Sequence, residues 1–322
     1  MTELPKFILV DGHALIYRAY HAYPPLTSPT GQLVNAVYGF TRILLTVIRQ
    51  FEPEYLAVAF DHPQPTFRHT DFAQYKANRP EMPVDLQPQI ELIKQVVAAL
   101  SIPQFEQAGY EADDLIGSIC QLLKSKRLLT LVVTGDKDLL QLVNDRVHVF
   151  IPSRGKYSQD VEYDPAQVQV KMGVTPRQIP DLKALMGDAS DNIPGVMGVG
   201  AKTATKLINA FRSLANLYQY LGQKLLTDAP ANPSPLDQSP LATILTQKLR
   251  DKLSSGRDLA ELSRQLATID TQVVVDFDLS KCRVQDYDKE KVWQLFGQLD
   301  FKSLIPLLPT DDFEAGVQSA LF

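Results

Sequence analysis

The chain has 322 residues, of which 45% are hydrophobic and 21% are charged, a composition that excludes a disordered or fibrous protein. Cys120 and Cys282 match no zinc or disulfide spacing, and no apolar run approaches the roughly 18 residues of a membrane span, so we expect a soluble, cytoplasmic protein. A net charge of −5 argues against a nucleic-acid partner, unless many of the acids are sequestered around bound cations.

Short apolar runs alternate with longer amphipathic segments in the first half of the chain. The runs predict strands at 6–10, 55–61, 129–136 and 146–151. Apolar residues at helical spacing predict helices at 35–51, 86–100 and 109–119. This alternation favours an α/β fold, with a mostly parallel central sheet and helices on both faces. Asp11, Asp61 and Asp136 each follow an apolar strand, at the edge where such sheets bind ligands.

Three other stretches depart from this pattern. Residues 62–83 contain four prolines, three basic residues and few aliphatic ones, so we expect a long exposed excursion of a kind that is often functional. From about residue 180 helical patterns dominate, with one further strand expected at 273–277. The proline-rich stretch 228–240 predicts an exposed loop, and the residues after 308 a tail.

Nine carboxylates fall in five clusters along the sequence. One acid in the first turn of a helix is usually explained by capping and the helix dipole, and one acid after a strand by a turn. Several acids that converge from different segments instead indicate a site for hard cations such as Mg²⁺. Two such ions about 4 Å apart can activate water and stabilise the leaving oxygen of a phosphodiester. Solvated surface acids remain the alternative. The candidate ligands are Asp11, Asp61, Glu111, Asp113, Asp114, Asp136, Asp138, Asp188 and Asp191.

Asp188 and Asp191 are three residues apart and would share one face if this stretch were helical. The glycine-rich segment 193–211 follows them and is predicted to end in a helix that begins near residues 202–203. A Walker A loop is excluded, because Ala201 separates Gly200 from Lys202 and no apolar strand precedes the loop. A helix–hairpin–helix fits better, since its glycines let backbone N–H groups approach phosphates, although a purely structural turn remains the alternative. The candidate DNA-binding residues here are Gly195, Gly198, Gly200, Lys202, Thr203 and Lys206.

Taken together, these motifs resemble the 5′ nuclease domain of bacterial DNA polymerase I, a family that includes stand-alone 5′–3′ exonucleases and flap endonucleases. The resemblance spans residues 8 to about 305 and rests on VDGHALIYRAYHA, AVYGF, VAFDHPQPTFRH, YKANRP, GYEADDLIG, VTGDKDLLQL, ALMGDASDNIPGVMGVGAKTA and FKSL. It implies a structure-specific nuclease that hydrolyses DNA at 5′ ends, flaps, nicks or RNA primers during replication and repair. The implied cofactors are two or more Mg²⁺ or Mn²⁺ ions.

The resemblance also implies roles for single residues. Asp11, Asp61, Glu111, Asp113, Asp114 and Asp136 would serve a first ion, and Asp138, Asp188 and Asp191 a second, directly or through water. Residues 62–105 would include a helical arch, from which Lys76 and Arg79 approach the scissile phosphate together with Arg18. Tyr17 and Tyr75 would orient an unpaired base, with core packing as the alternative, and Arg68 would contact DNA. The 195–203 hairpin would hold duplex DNA by its backbone without reading bases, with a K⁺ ion as a further expectation.

We therefore expect a nuclease core at 1–180 with the arch at about 62–105, a helix–hairpin–helix subdomain at 181–308 and a tail or linker at 309–322. The expected partner is DNA with a 5′ flap, a nick or an RNA primer, bound by a nucleoid-associated monomer with no membrane contact. The native protein either continues into a polymerase or is a stand-alone nuclease.

Two other functions remain open from the sequence. A ribonuclease of the PIN type would share the acidic cluster but would be shorter and would lack the hairpin and the arch. A non-catalytic, structure-specific DNA-binding module would be expected to have lost part of the acidic set, which is complete in this chain.

Overall fold

A computed structural model describes residues 4–153, 159–227, 245–284 and 287–309. The loop expected at 228–240 lies outside these ranges, as do residues 310–322 of the expected tail. Within the described ranges, no helix is long and apolar enough to cross a membrane.

A six-stranded sheet in the order β3-β2-β1-β4-β5-β6 forms the centre of the structure. Its strands are β1 (Lys6–Asp11), β2 (Tyr55–Ala59), β3 (Gln104–Phe105), β4 (Leu129–Val133), β5 (Val147–Ile151) and β6 (Val161–Tyr163). All neighbouring strands are parallel except β5 and β6. The four strands predicted in the first half of the chain are confirmed. Two more, β3 and β6, have only 2 and 3 residues, too few to produce an apolar pattern.

Twelve α-helices surround the sheet in the described ranges. They are α1 (Gly12–Ala22), α2 (Asn35–Phe51), α3 (Phe67–Asp71), α4 (Gln87–Ala99), α5 (Ala112–Leu122), α6 (Pro165–Met172), α7 (Ile179–Met186), α8 (Ala201–Phe211), α9 (Leu214–Thr227), α10 (Gln247–Ser255), α11 (Arg257–Ala267) and α12 (Lys289–Gln298). Single 3-10 turns lie at Leu123–Ser125, Asp138–Leu142, Pro176–Gln178, Leu279–Cys282 and Lys302–Leu307. The helices expected at 35–51, 86–100 and 109–119 correspond to α2, α4 and α5 and are confirmed.

Strand β1 is buried on both of its faces, which places it at the centre of the core. Phe7 and Leu9 point into one apolar cluster, which includes side chains of α5, α7, α8 and α9. Ile8 and Val10 point into the other, which includes side chains of α1, α2 and α4. All four are at most 1% exposed. The predicted fold class, a mostly parallel sheet covered on both faces, is thus confirmed.

The strand expected at 273–277 is wrong, because this segment joins no sheet, and the Phe277 N–H donates to the Val275 carbonyl at 2.8 Å. Val273 and Phe277 pack on the core while Val274 is 88% exposed, so the alternation imitates a strand. The Val273 N–H donates to the Ser118 hydroxyl at 3.0 Å instead of to a neighbouring strand. The chain thus satisfies its backbone without a ladder.

The residues that join α7 to α8 are also not helical. Asp188 and Ile193 exchange two backbone hydrogen bonds of 2.8 and 2.9 Å, which close a tight turn around Asp191. The condition under which Asp188 and Asp191 would share a helical face is therefore not met. The turn directs Asp188 toward the carboxyl edge of the sheet and Asp191 toward residues 75–79.

Candidate active site

A cavity of about 1170 Å³ opens at the carboxyl ends of β1, β2 and β4. Asp11 is the last residue of β1, and Asp61 and Asp136 closely follow β2 and β4. Because parallel strands end at one edge of the sheet, these side chains face the same space. Seven of the nine candidate ligands line the cavity: Asp11, Asp61, Glu111, Asp113, Asp136, Asp138 and Asp188.

Asp11 is the N-cap of α1 and is only 3% exposed. Its carboxylate accepts the Ala14 N–H at 3.1 Å and the Thr134 hydroxyl at 2.6 Å. Burial raises the pKa of Asp11 to about 7, and repulsion from Asp61 adds to this, although the Thr134 hydrogen bond opposes it. Burial and repulsion from Asp11 likewise raise the pKa of Asp113. Their negative charge would be stabilised by an added cation.

The opposite side of the cavity contains an internal cation. The Lys183 ammonium, on α7, donates to Oδ1 of Asp138 and to Oδ2 of Asp188. Burial opposes ionisation of Asp188, but Lys183 and Ser190 lower its pKa to about 2. Burial, with repulsion from Asp136, raises the pKa of Asp138 to about 6 although Lys183 acts in the opposite direction. Neither Lys183 nor its pairing was expected from the sequence, where one lysine between apolar residues was the only signal.

The basic residues of segment 62–83 also pair with acids of the site. Nζ of Lys76 lies 2.6 Å from Oε1 of Glu111 and 4.0 Å from Oδ2 of Asp191. Arg79 forms an ion pair with Oδ1 of Asp191. The Tyr75 hydroxyl lies 3.3 Å from Oε2 of Glu111. Lys76 and Arg79 line the cavity, as expected for groups that approach a phosphate.

Segment 62–83 is exposed over much of its length, as its composition predicted, but Thr66, Arg68 and Tyr75 are buried within it. Tyr75 is 3% exposed and its ring packs edge-on to His69, which favours the packing role weighed for it over stacking on a base. The Lys76 N–H donates to the carbonyl of Asp191 at 3.0 Å, which ties the segment to the turn after α7. Prolines and charges predicted the exposure, but they did not predict that Lys76 and Arg79 pair with acids of the site.

Arg68 contradicts the expectation that it contacts DNA, because it is 2% exposed. Its guanidinium donates to both carboxylate oxygens of Asp114 at 2.7 Å, and to the carbonyls of Leu266 and Thr268 at 3.0 and 2.9 Å. Asp114 is fully buried and also accepts the N–H groups of Glu111 and Asp270. These bonds occupy its oxygens, which contradicts a ligand role for Asp114.

Residues of α1 also line the cavity, among them His13, Tyr17 and Arg18. Nδ1 of His13 accepts the Asp61 N–H at 2.9 Å and so fixes the start of the loop after β2. His13 was not singled out in the sequence, since a lone histidine matches no ligand spacing. Arg18 donates to the carbonyl of Pro152 while lining the cavity. Tyr17 is partly buried against the core and also faces the cavity, so both of its expected roles remain open.

Within the described ranges, no three carboxylate, imidazole or thiol groups lie close enough to hold a metal ion as they stand. The expectation that these acids serve two ions, directly or through water, stays a prediction. Protein cations pair with five members of the acidic set: Glu111, Asp114, Asp138, Asp188 and Asp191. The donors that line the cavity are nevertheless carboxylate oxygens, which are the ligands that hard divalent cations prefer.

The hairpin between α7 and α8 depends on glycine at two positions. Gly195 has φ of 62°, and a Cβ there would lie 2.2 Å from the backbone nitrogen of Gly187. Its N–H donates to the buried Ser263 hydroxyl at 2.9 Å, so it is not available to a phosphate, contrary to the expected role of Gly195. Gly198 has φ of 76°. Gly200 is the N-cap of α8, with open space where a side chain would be.

A second cavity of about 560 Å³ lies between this hairpin and α10. The hairpin side contributes Gly198, Thr203 and Lys206, three of the expected DNA-binding residues. The other side contributes Thr246, Lys248, Leu249 and Lys252, none of which the sequence singled out. Among the residues that the structure describes, no acid lines this cavity, so they form a basic surface on an acidic protein. Lys202 is exposed on the first turn of α8.

An acid-lined cavity at the carboxyl edge of a parallel sheet, next to a basic glycine-rich hairpin, is the arrangement of a nuclease. Family models agree: "5′-3′ exonuclease, N-terminal resolvase-like domain" matches residues 6–173, and "5′-3′ exonuclease, C-terminal SAM fold" matches residues 174–290. The chain therefore belongs to the 5′–3′ exonuclease family, and the resemblance identified from its motifs is confirmed.

Relatives are similar over almost the whole chain. DNA polymerase I of Chloroflexus aurantiacus is 42% identical over 95% of this chain and 31% of that protein. DNA polymerase I of Bacillus subtilis is 38% identical over 100% of this chain and 34% of that protein. The chain thus spans about a third of the length of these relatives. A flap endonuclease of bacteriophage T5, solved with DNA and metal ions, shares the fold with a TM-score of 0.62 and 21% identity, covering 92% of this chain and 99% of that one.

Proposed function

We propose that this chain hydrolyses phosphodiester bonds of DNA at 5′ ends, flaps, nicks or RNA primers, as a 5′–3′ exonuclease and flap endonuclease in replication and repair. The observation that carries the proposal is the cavity of about 1170 Å³, where carboxylates from separate chain segments face Lys76 and Arg79. Membership of the 5′–3′ exonuclease family supports the same reaction.

The acids around Asp11 fit a divalent cofactor, Mg²⁺ or Mn²⁺. Burial and mutual repulsion raise the pKa values of Asp11 and Asp113, so a cation that joined them would relieve both effects. Among the described ion pairs, neither group is joined to a lysine or arginine. Bound divalent ions lower the pKa of a coordinated water and stabilise a departing oxygen. The T5 enzyme's complex with metal ions is consistent with this cofactor class.

The chain's own residues would supply charge and position. Lys76 and Arg79 lie at the cavity beside Glu111 and Asp191, so an incoming phosphate would compete for ammonium and guanidinium groups already held there. Fixed cations next to a phosphate stabilise charge that develops as its ester bond breaks. Arg18 adds a third basic group to the cavity wall. With water as the nucleophile, none of the cavity side chains has to attack the phosphate.

Duplex DNA would bind at the basic cavity between the hairpin and α10. Lys206, Lys248 and Lys252 face this space and would contact phosphates without regard to sequence. A K⁺ ion at the 195–203 hairpin is also part of the proposal, and backbone carbonyls there would be its ligands. The relatives are DNA polymerase I proteins, so a polymerase domain joined to a monomeric chain in the bacterial cytoplasm is part of the proposal.

The two alternatives have less support. A PIN-type ribonuclease would lack the hairpin at 195–203 and the segment that carries Lys76 and Arg79, and both are present. A non-catalytic DNA-binding module gives no reason for seven carboxylates to line one cavity.

The test is cleavage of a labelled 5′-flap duplex with Mg²⁺ and with a chelator. We expect cleavage with Mg²⁺ alone, and its loss in Asp136→Asn with flap binding retained. Asp145→Asn is the matched control, because Asp145 is exposed and does not line the cavity. Absence of Mg²⁺-dependent cleavage by the unmodified chain would contradict the proposal.

A further inference from the structure

Lys183 is a buried cation that joins two acids of the active site. Its side chain is 5% exposed, and its neighbours Leu182, Ala184 and Leu185 on α7 are buried. The ammonium donates to Asp138, in the turn after β4, and to Asp188, after the end of α7. A buried lysine without partners would be costly, so this contact accounts for the charge at this position.

The two sides of the cavity therefore differ in how their charge is balanced. Asp11, Asp113 and Asp136 form no ion pair with a lysine or arginine among the described contacts. Asp138 and Asp188 share one ammonium. A divalent ion that binds the first group would be attracted by every carboxylate in it. At the second group it would meet a fixed positive charge on the same two carboxylates, and like charges at short range in a buried site repel strongly.

We propose that Lys183 is an internal counter-ion of the Asp138–Asp188 side, and that a divalent ion binds there only by displacing its ammonium from both carboxylates. This inference rests on the proposed function, because it presumes that the cavity binds divalent ions. It follows that ions bind in two classes, tightly beside Asp11 and more weakly beside Asp188. It also follows that the second side is held together by Lys183 while no ion is bound.

The test counts bound ions without catalysis, by titrating the DNA-free protein with Mn²⁺ and measuring free Mn²⁺ by electron paramagnetic resonance. The unmodified chain should show one tight and one weaker class. Lys183→Met should tighten the weaker class by about tenfold or more, because a direct charge-assisted contact is lost. Lys171→Met is the matched control, since Lys171 lines the same cavity but is exposed. Loss of the Lys171 charge should tighten the weaker class less, because water screens exposed charges.

If the Lys183→Met variant is unstable, thermal unfolding with and without Mn²⁺ provides a second measurement of ion binding. Without ions, its Asp138 and Asp188 carboxylates repel, so its Tm should fall below that of the unmodified chain. Mn²⁺ should then raise its Tm by more than it raises the Tm of the unmodified chain, because tighter ligands stabilise the folded state more. A variant that is unfolded in chelator should be refolded by Mn²⁺. Lys183→Arg keeps the charge and should retain the weaker class.

Three results would overturn the inference. They are an unchanged weaker class in Lys183→Met, equal tightening in Lys183→Met and Lys171→Met, or a destabilised Lys183→Met variant that Mn²⁺ does not restore. A protein that binds no Mn²⁺ in any form would instead contradict the divalent cofactor of the proposed function. The two failures are thus distinguishable.

Discussion

The guanidinium of Arg68 donates hydrogen bonds of 2.7 Å to both carboxylate oxygens of Asp114, and neither side chain is more than 3% exposed. This pair fastens segment 62–83 to the start of α5. Asp114 also accepts the Glu111 N–H at 3.1 Å, so the pair helps to position Glu111, which lines the cavity. Asp114 therefore acts on the site by positioning its neighbours.

Asp114→Asn should destabilise the protein by about 3 kcal/mol or more, because it leaves a buried guanidinium without its counter-charge. Equilibrium unfolding in urea, in the presence of chelator, measures the change. Asp113→Asn is the matched control on the same helix turn. Burial and repulsion raise the pKa of Asp113, so removing its charge should leave ion-free stability unchanged or increased. Equal destabilisation by the two substitutions would contradict the positioning role of Asp114.

Lys76→Met should lower the single-turnover rate of flap cleavage by about a hundredfold or more, because it removes a fixed cation beside the reacting phosphate. Binding of the flap duplex should change much less. Lys94→Met is the control, since Lys94 forms an ion pair of 2.6 Å with Glu106 that is similar to the Lys76–Glu111 pair and lies outside the cavity. If Lys76→Met cleaves at the unmodified rate, Lys76 serves only to balance Glu111.

Lys206→Ala combined with Lys248→Ala should weaken duplex binding, because the two ammonium groups line the basic cavity from α8 and α10. If each contacts one phosphate, the slope of log affinity against log salt should become shallower by about 1.8. Fluorescence anisotropy of a labelled duplex over a salt series measures this slope. Lys126→Ala, at an exposed lysine on another surface, should leave it unchanged. A slope unaffected by the double substitution would show that DNA does not use this cavity.

Gly195→Ala should destabilise the protein by more than about 1 kcal/mol, because its positive φ is unfavourable for alanine and the new Cβ would meet the Gly187 backbone. The affinity of this variant for duplex DNA should also fall, because the substitution distorts the hairpin. Gly200→Ala is the contrasting substitution, since its φ is −91° and nothing lies within 4 Å of the added Cβ. Urea unfolding of both variants checks the prediction, and equal stabilities would contradict it.

Much of the fold was predictable because burial on both faces of β1, β2 and β4 leaves long apolar runs in the sequence. The acids at the ends of those strands were predictable for the same reason, because each one directly follows a recognisable apolar run and so lies at the edge of the predicted sheet. The pairing of basic residues with acids of the site was not predictable. Arg68 and Lys183 each bond acids that are about 45 positions away along the chain. A basic residue near an acidic cluster looks the same in sequence whether it binds DNA or an internal carboxylate, and only its burial decides.

The carbonyls that hold Arg68 belong to residues 198 and 200 positions later in the chain. During synthesis, all nine acids of the predicted site emerge from the ribosome before Leu266 and Thr268 do. A nascent chain could thus have its complete acidic set while the segment that bears Lys76 and Arg79 still lacks this anchor. Order of synthesis would then delay the assembled site until the helices after the hairpin have folded.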